Sequence, residues 1–324
     1  MKVTRIFSAA MLACLAWTSA TKADTIRYMS DDEGAAETQA MAEPCSVDYC
    51  NVCDDTWTLN LIAPSDHCFD CFISPMTNPV YFEDPRTLSE ARFIYARHKV
   101  PITAGGGEIN VFALQLRAAI NDRLSIIATK DGFLTSSNPL INDGWADVNV
   151  GLKYNLFKDP ASQRILSTGV TYELPVGSTR ALQGNGDGVF HLFMTGGTQI
   201  GNNGHWISAG GWVLPTDPGD ESQWMYWSNH LDRRLGNSNF YGFYEANWYH
   251  WLDSGAGGIP GIEGGDFFNF GSTNVTGNDI ITNALGVKYK PSANTEVGVA
   301  WEVPVTKRRD VLDNRLTFDF ILRY

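Results

Sequence analysis

From about residue 88 to the last residue, apolar and polar side chains alternate with a period of two, and this pattern constrains the chain more than any other feature. Between Trp145 and Phe157, Ala146, Val148, Val150, Leu152, Tyr154 and Leu156 fall on one face, with Asp147, Asn149, Gly151, Lys153 and Asn155 on the other. Leu166, Thr168, Val170, Tyr172 and Leu174 repeat the pattern against Ser167, Gly169, Thr171 and Glu173. Val297, Val299, Trp301 and Val303 oppose Glu296, Gly298, Ala300 and Glu302. The final run sets Leu316, Phe318, Phe320, Leu322 and Tyr324 against Thr317, Asp319 and Arg323. Successive side chains of an extended chain point to opposite sides, so each run reads as a strand with one apolar and one polar face.

Twelve strands are expected, near 89–100, 108–120, 124–131, 145–157, 164–174, 188–201, 205–214, 222–230, 240–251, 279–290, 295–303 and 315–324. The connections between them alternate in length. Those at 121–123, 158–163, 202–204, 231–239 and 291–294 are mostly short; those at 101–107, 132–144, 175–187, 215–221, 252–278 and 304–314 are usually longer. An even number of strands, short turns at one end and long loops at the other describe an outer-membrane barrel. Aromatic residues such as Trp145, Tyr154, Tyr172, Tyr244, Trp248, Tyr289, Trp301 and Tyr324 would supply its interfacial girdles. The expected fold is therefore all-β, a closed antiparallel transmembrane β-barrel of about twelve strands over 88–324, preceded by a cysteine-containing extension. Its location is the cell outer membrane, with lipid as its surroundings.

In that register the charged residues turn inward, because facing lipid would be costly. The lumen-lining candidates are Arg117, Asp147, Lys153, Glu173, His191, Glu245, Lys288, Glu296, Glu302 and Asp319, with Arg323 beside them. His191 has Glu173 as a candidate neighbour. Acidic residues outnumber basic ones in this set, so one reading is a polar pathway with a slight preference for cations. The other is a network of paired charges that stiffens a closed barrel. An eight-stranded barrel is filled by its own side chains and a sixteen-stranded one holds a wide channel, so twelve strands imply a narrow lumen. The glycine- and aromatic-rich connection 252–278 either folds inward as a constriction or covers neighbouring loops.

Ahead of the barrel, Lys2 and Arg5 precede an apolar stretch from Ile6 to Trp17 and then small residues up to Ala23, the order of a secretory signal peptide over 1–23. Residues 24–87 form an acidic, cysteine-containing segment expected in the periplasm. Between 24 and 86 it carries 13 Asp and Glu against 2 Arg, which accounts for most of the net charge of −12. Cys45, Cys50, Cys53, Cys68 and Cys71 include two CxxC pairs. In an exported chain disulfides are favoured; four thiolates at this spacing also suit a structural metal, with His67 as an extra ligand. No other cofactor is implied.

Net acidity without a basic stripe argues against nucleic acid as a partner. The chain holds no phosphate-binding loop, no GxSxG sequence and no dinucleotide fingerprint. Its six histidines fall on different strands or turns, and Ser228-Asn229-His230 is only a loose nucleophile–base pair, so no enzyme is expected. A rival function is a secreted soluble β-sandwich that stacks carbohydrate on Trp206, Trp212, Trp224, Trp227, Trp248 and Trp251. Alternating loop lengths favour the barrel. Oligomeric state is not encoded in any of these patterns.

Gly144-Trp145-Ala146-Asp147-Val148-Asn149-Val150-Gly151, followed by Glu173-Leu174-Pro175-Val176-Gly177, resembles the outer-membrane barrel family of the phenol-degradation meta-pathway type, a group of transporter-like, porin-like proteins. The resemblance covers roughly 88–324 and implies a passive channel for small, hydrophobic solutes. It implies no catalytic residues, and the cysteine-bearing extension departs from the family's pattern.

Overall fold

A computed structural model describes residues 62–324. The expected signal peptide, and Cys45, Cys50 and Cys53, lie outside these described residues. Fourteen strand segments follow: β1 (Glu90–Lys99), β2 (Glu108–Ala119), β3 (Leu124–Lys130), β4 (Phe133–Ser136), β5 (Gly144–Trp145), β6 (Val148–Asp159), β7 (Arg164–Leu174), β8 (Val189–Ile200), β9 (Gly204–Pro215), β10 (Gln223–Arg234), β11 (Phe240–Asp253), β12 (Asp279–Ser292), β13 (Thr295–Pro304) and β14 (Asn314–Arg323). Every neighbouring pair is antiparallel, and β1 pairs with both β2 and β14, which closes the sheet on itself. β3 and β4 both pair with β2 and together make one stave of the wall; β5 and β6 make the next. The wall therefore has twelve staves, each close to an expected strand.

The alternation sorts side chains as a membrane requires. Val150, Leu152, Tyr154, Leu156, Val297, Val299, Trp301, Phe318, Phe320 and Leu322 are exposed on the outside, while Lys153, Glu173, Glu296, Glu302, Asp319 and Arg323 are buried inside. A soluble sandwich buries its apolar faces, so this closed, inverted arrangement removes that alternative. Trp206, Trp212 and Trp227 face outward, whereas Trp224 and Trp251 are buried in the interior. A charge placed on the outer belt tests the membrane face. Leu285, at mid-strand in β12, is 65% exposed; Leu285→Arg is expected to destabilise the barrel by about 2–4 kcal/mol. Urea unfolding in lipid vesicles measures the cost, and a change near zero would mean that this face does not meet hydrocarbon.

One end carries the short turns, and the chain enters and leaves there. The Ser65 amide donates to the carbonyl of Tyr324 (2.7 Å), Tyr324 donates to Ser89 (2.9 Å), and Ala63 bridges to Ala119. The opposite end carries the long loops.

The periplasmic segment expected over 24–87 is different where it is described. Residues 66–88 rise into the barrel and return to its base as an inner loop, opened by a 3-10 turn at His67–Phe69 that Asp66 caps. Phe69, Phe72, Ile73, Met76, Val80, Tyr81 and Phe82 are all at most 4% exposed. The physical reason is space: a twelve-stave wall is too wide for its own side chains to fill. These apolar residues would be out of place in a solvated segment, but they pack well in a lumen.

Candidate functional site

The inner loop is held by the inward charges of the wall. From β2, Arg117 forks onto Glu83 at 2.8 and 2.6 Å and reaches Glu90 at 3.0 Å. Lys153 of β6 donates to Glu83 (2.7 Å) and to the Asp84 carbonyl (2.6 Å). Glu245 of β11 accepts from the backbone amides of Met76 (2.7 Å) and Thr77 (2.6 Å) and from the Thr77 hydroxyl. Glu296 of β13 accepts from the Ser74 amide and pairs with Lys288 (3.1 Å) and Arg323 (2.7 Å). Asp319 joins Arg92 (2.8 Å) to Lys288 (2.9 Å). Within the loop itself, Arg86 donates to Asp84 and to the Phe72 carbonyl.

Charges this deeply buried need opposite partners and hydrogen bonds to offset the loss of water. The wall supplies both. The arrangement matches the paired-charge reading better than that of a cation pathway. Buried carboxylates on the strands (Glu90, Glu173, Asp232, Glu245, Glu296, Glu302, Asp319) are met by as many or more buried cations (Arg92, Arg117, Lys130, Lys153, Lys288, Lys290, Arg315, Arg323).

Four expected lining residues do other work. Asp147 accepts from the amides of Gly177 (2.8 Å) and Gly184 (2.9 Å) and so pins the β7–β8 loop. Glu173 pairs with Lys130 at 2.5 Å and not with His191. His191 instead meets the Tyr226 hydroxyl at 2.9 Å and stacks on Phe193. Glu302 binds Arg315 (2.7 Å) and Thr282 (2.6 Å). His230 lies between Glu245 (2.7 Å) and Asp232 (3.2 Å), and Asp232 also meets His205 (2.8 Å). Both ring nitrogens of His230 face carboxylates, and Ser228 takes a hydrogen bond from Asn78, so they do not form a nucleophile–base pair.

At the outer end the long connection folds inward. Residues 254–278 form a lid whose Phe267, Phe268, Phe270 and Val275 are buried. Together with Tyr81 of the inner loop and Trp224, Tyr226 and Trp251 of the wall they make one apolar cluster. Glu263 organises the lid. Its carboxylate accepts from the Ser222 hydroxyl (2.6 Å) and from the amides of Ser272 (2.7 Å), Phe270 (3.0 Å) and Gly264 (3.1 Å). Asp266 ties the lid to Arg315 at 2.8 Å. Gly271 is left-handed (φ +59°), and a Cβ there would lie 1.9 Å from the Asp220 carbonyl, so only glycine lets the lid close on the β9–β10 loop.

The wall has a break that interrupts a whole stave. Between β3 and β4, Asp131 accepts from the Leu114 amide (2.8 Å), replacing a ladder bond with a side chain. Gly132 follows with φ +118°, and its absent Cβ would stand 2.3 Å from the Phe112 carbonyl. The neighbouring stave breaks at the same level, where the Ala146 amide bonds to the Gly132 carbonyl (2.9 Å). Outside this break runs an apolar groove of about 960 Å³, lined among others by Phe93, Tyr95, Phe112, Leu114, Trp145, Val148, Val176 and Phe318.

No family model matches this sequence, and no curated protein does. The fold has solved counterparts. An outer membrane channel from Pseudomonas putida F1 superposes with a TM-score of 0.51 at 11% identity, covering 78% of this chain and all of that one. Lower in similarity are the NanC porin (TM-score 0.46, 8% identity, 73% of this chain and 98% of that one) and the KdgM porin in complex with disordered oligogalacturonate (0.45, 9%, 72% and 99%). The chain is a transmembrane β-barrel of the outer-membrane type.

Sequence reasoning missed Arg92, Lys130, Asp232, Lys290 and Arg315 on the wall and Glu83, Asp84 and Arg86 in the loop. Arg92 and Arg315 carried a usable signal, since each lies two residues from an inward position of its own strand. Cys68 and Cys71 sit at the base of the inner loop, half-buried. Among the described residues no group of three or more His, Cys, Asp or Glu has metal-holding geometry.

Proposed function

We propose that this barrel passes small, apolar solutes across the outer membrane passively, through the break in its wall and not along its axis. One observation carries the reading. The inner loop and the lid fill the lumen with paired charges and packed aromatics, while the outer face of the break offers an apolar groove. The groove's lining suits aliphatic or aromatic molecules and offers ions little. The resemblance to the phenol-degradation type of barrel points the same way. Disulfides among Cys45, Cys50, Cys53, Cys68 and Cys71 would tie the extension to the base of the inner loop.

The test uses outer-membrane vesicles that retain lipopolysaccharide, with a small apolar fluorescent aromatic amine as solute. Leu114→Trp, which fills the groove from the lipid side, is expected to cut protein-dependent uptake several-fold. Leu192→Trp, an outward change remote from the groove, should leave it unchanged. Equal uptake with and without the protein would overturn the reading.

A further inference from the structure

A small cavity of about 20 Å³ lies beneath the lid, between Glu263 and Asp266 of the lid, His98 of β1 and Asp310 of the β13–β14 loop. Three polar atoms there have no partner: Nδ1 of His98, Oδ2 of Asp266 and Oδ2 of Asp310. Their residues are 1%, 5% and 8% exposed. Nε2 of His98 lies 2.8 Å from the Val311 carbonyl, which can only accept, so that nitrogen carries the ring's hydrogen and Nδ1 presents a bare lone pair.

Three acceptors thus face one space with no donor among them, and leaving buried acceptors unpaired is costly. A cavity of this size has room for about one water, which brings two hydrogens. The third comes from a protonated acid or from the Tyr249 hydroxyl of β11, which also lines the cavity. Among the acids, Asp310 is the group placed to hold it. Its Oδ1 lies 2.9 Å from Nε of Arg308, while Oδ2 is without a partner. The charges around it are mixed. Glu263 and Asp266 approach from the lid, Arg308 from its own loop, and Arg315 of β14 holds Asp266 against Glu302. Arg309 is engaged outward with Asp313.

We propose that this cavity is a proton-operated latch for the lid: protonated Asp310 and one water bind the lid to the barrel, and losing the proton releases it. Burial pushes the Asp310 carboxyl up to about 7, with Arg308 and a hydrogen bond from the Glu263 backbone opposing and the Glu263 charge adding a smaller rise. A raised carboxyl favours the closed lid fully below its ordinary value near 4 and ceases to do so as the pH climbs past about 7. The lid should therefore be tight in mildly acidic surroundings and loose in alkaline ones.

Hydrogen exchange of the whole protein in detergent tests this, read on peptides spanning 263–275 and corrected for the intrinsic pH dependence of exchange. The amides of Phe270 and Ser272, held by Glu263, report on the lid directly. Between pH 5.5 and 8.5 their protection is expected to fall about ten-fold or more. Asp310→Asn keeps a permanent donor and should hold high protection at both pH values; Asp310→Ala removes it and should lower protection at both. Glu221→Gln serves as the control, because burial also pushes that outer-loop carboxyl up, to about 8. Flat protection in the wild type would overturn the latch. So would a pH response that survives in Asp310→Asn and disappears in Glu221→Gln.

Discussion

Excising residues 66–88 and joining Ser65 to Ser89 through two glycines is expected to turn a closed barrel into an ion-conducting one. The join is geometrically easy, because Ser65 and Ser89 already exchange hydrogen bonds at 2.9 and 3.1 Å. The excised loop occupies the lumen across its width. It touches β1 through Arg92, β2 through Arg117, β6 through Lys153, β11 through Glu245 and β13 through Glu296. Once it is gone, water fills the space and solvates those charges, so no buried ion is stranded and the wall should stay closed. In planar bilayers the single-channel current should rise about ten-fold or more over the intact protein, as expected for a twelve-stave lumen no longer filled. Because acidic and basic groups on the wall nearly balance, little selectivity between small cations and anions is expected. A gel shift between heated and unheated samples confirms that the shortened barrel has folded. If the folded variant conducts no better than the wild type, the inner loop is not what closes the lumen.

The second large effect is expected from Arg117. Its guanidinium binds Glu83 through two nitrogens and Glu90 through a third, with both carboxylates almost fully buried. Arg117→Ala leaves these carboxylates with only Lys153 and Arg323 as cations. Stranding buried charge in this way costs about 3–5 kcal/mol. Arg117→Lys keeps the charge but cannot span three contacts, so an intermediate loss is expected. The double variant Arg117→Met, Glu83→Gln should recover much of the stability, because it removes both members of the pair. The readout is the temperature at which the heat-modified band appears. An Arg117→Ala transition at the wild-type temperature would mean that water reaches the network and that the pairing contributes little.

The strands were legible because the side-chain period of an extended chain is strictly two. Each of the twelve expected runs has a counterpart in the wall, and the inward set from Arg117 to Asp319 is buried as that period requires. What an inward residue does was less legible. Asp147 and Glu173 follow the same alternation, yet one pins a loop and the other pairs with Lys130. A partner two strands away leaves no trace in local spacing. Lys130 was hidden for a further reason: a register shift between Ala128 and Lys130 turns it inward out of phase.

Period, loop lengths and charge distribution by themselves determined a closed transmembrane barrel of twelve staves, its long loops at one end and its polar residues inside. Those properties follow from backbone geometry and from the cost of exposing charge to lipid, both of which act residue by residue. Whether the lumen is open was decided only in three dimensions. The segment 66–88 has no period of its own, and its apolar and charged residues fit no local element. They find their places because a twelve-stave wall encloses more space than its side chains fill. The inner loop and the lid meet in that space, drawn together by apolar burial and held by polar contacts that the chain brings from more than 200 residues apart, as Ser74 of the loop and Glu296 of the wall show.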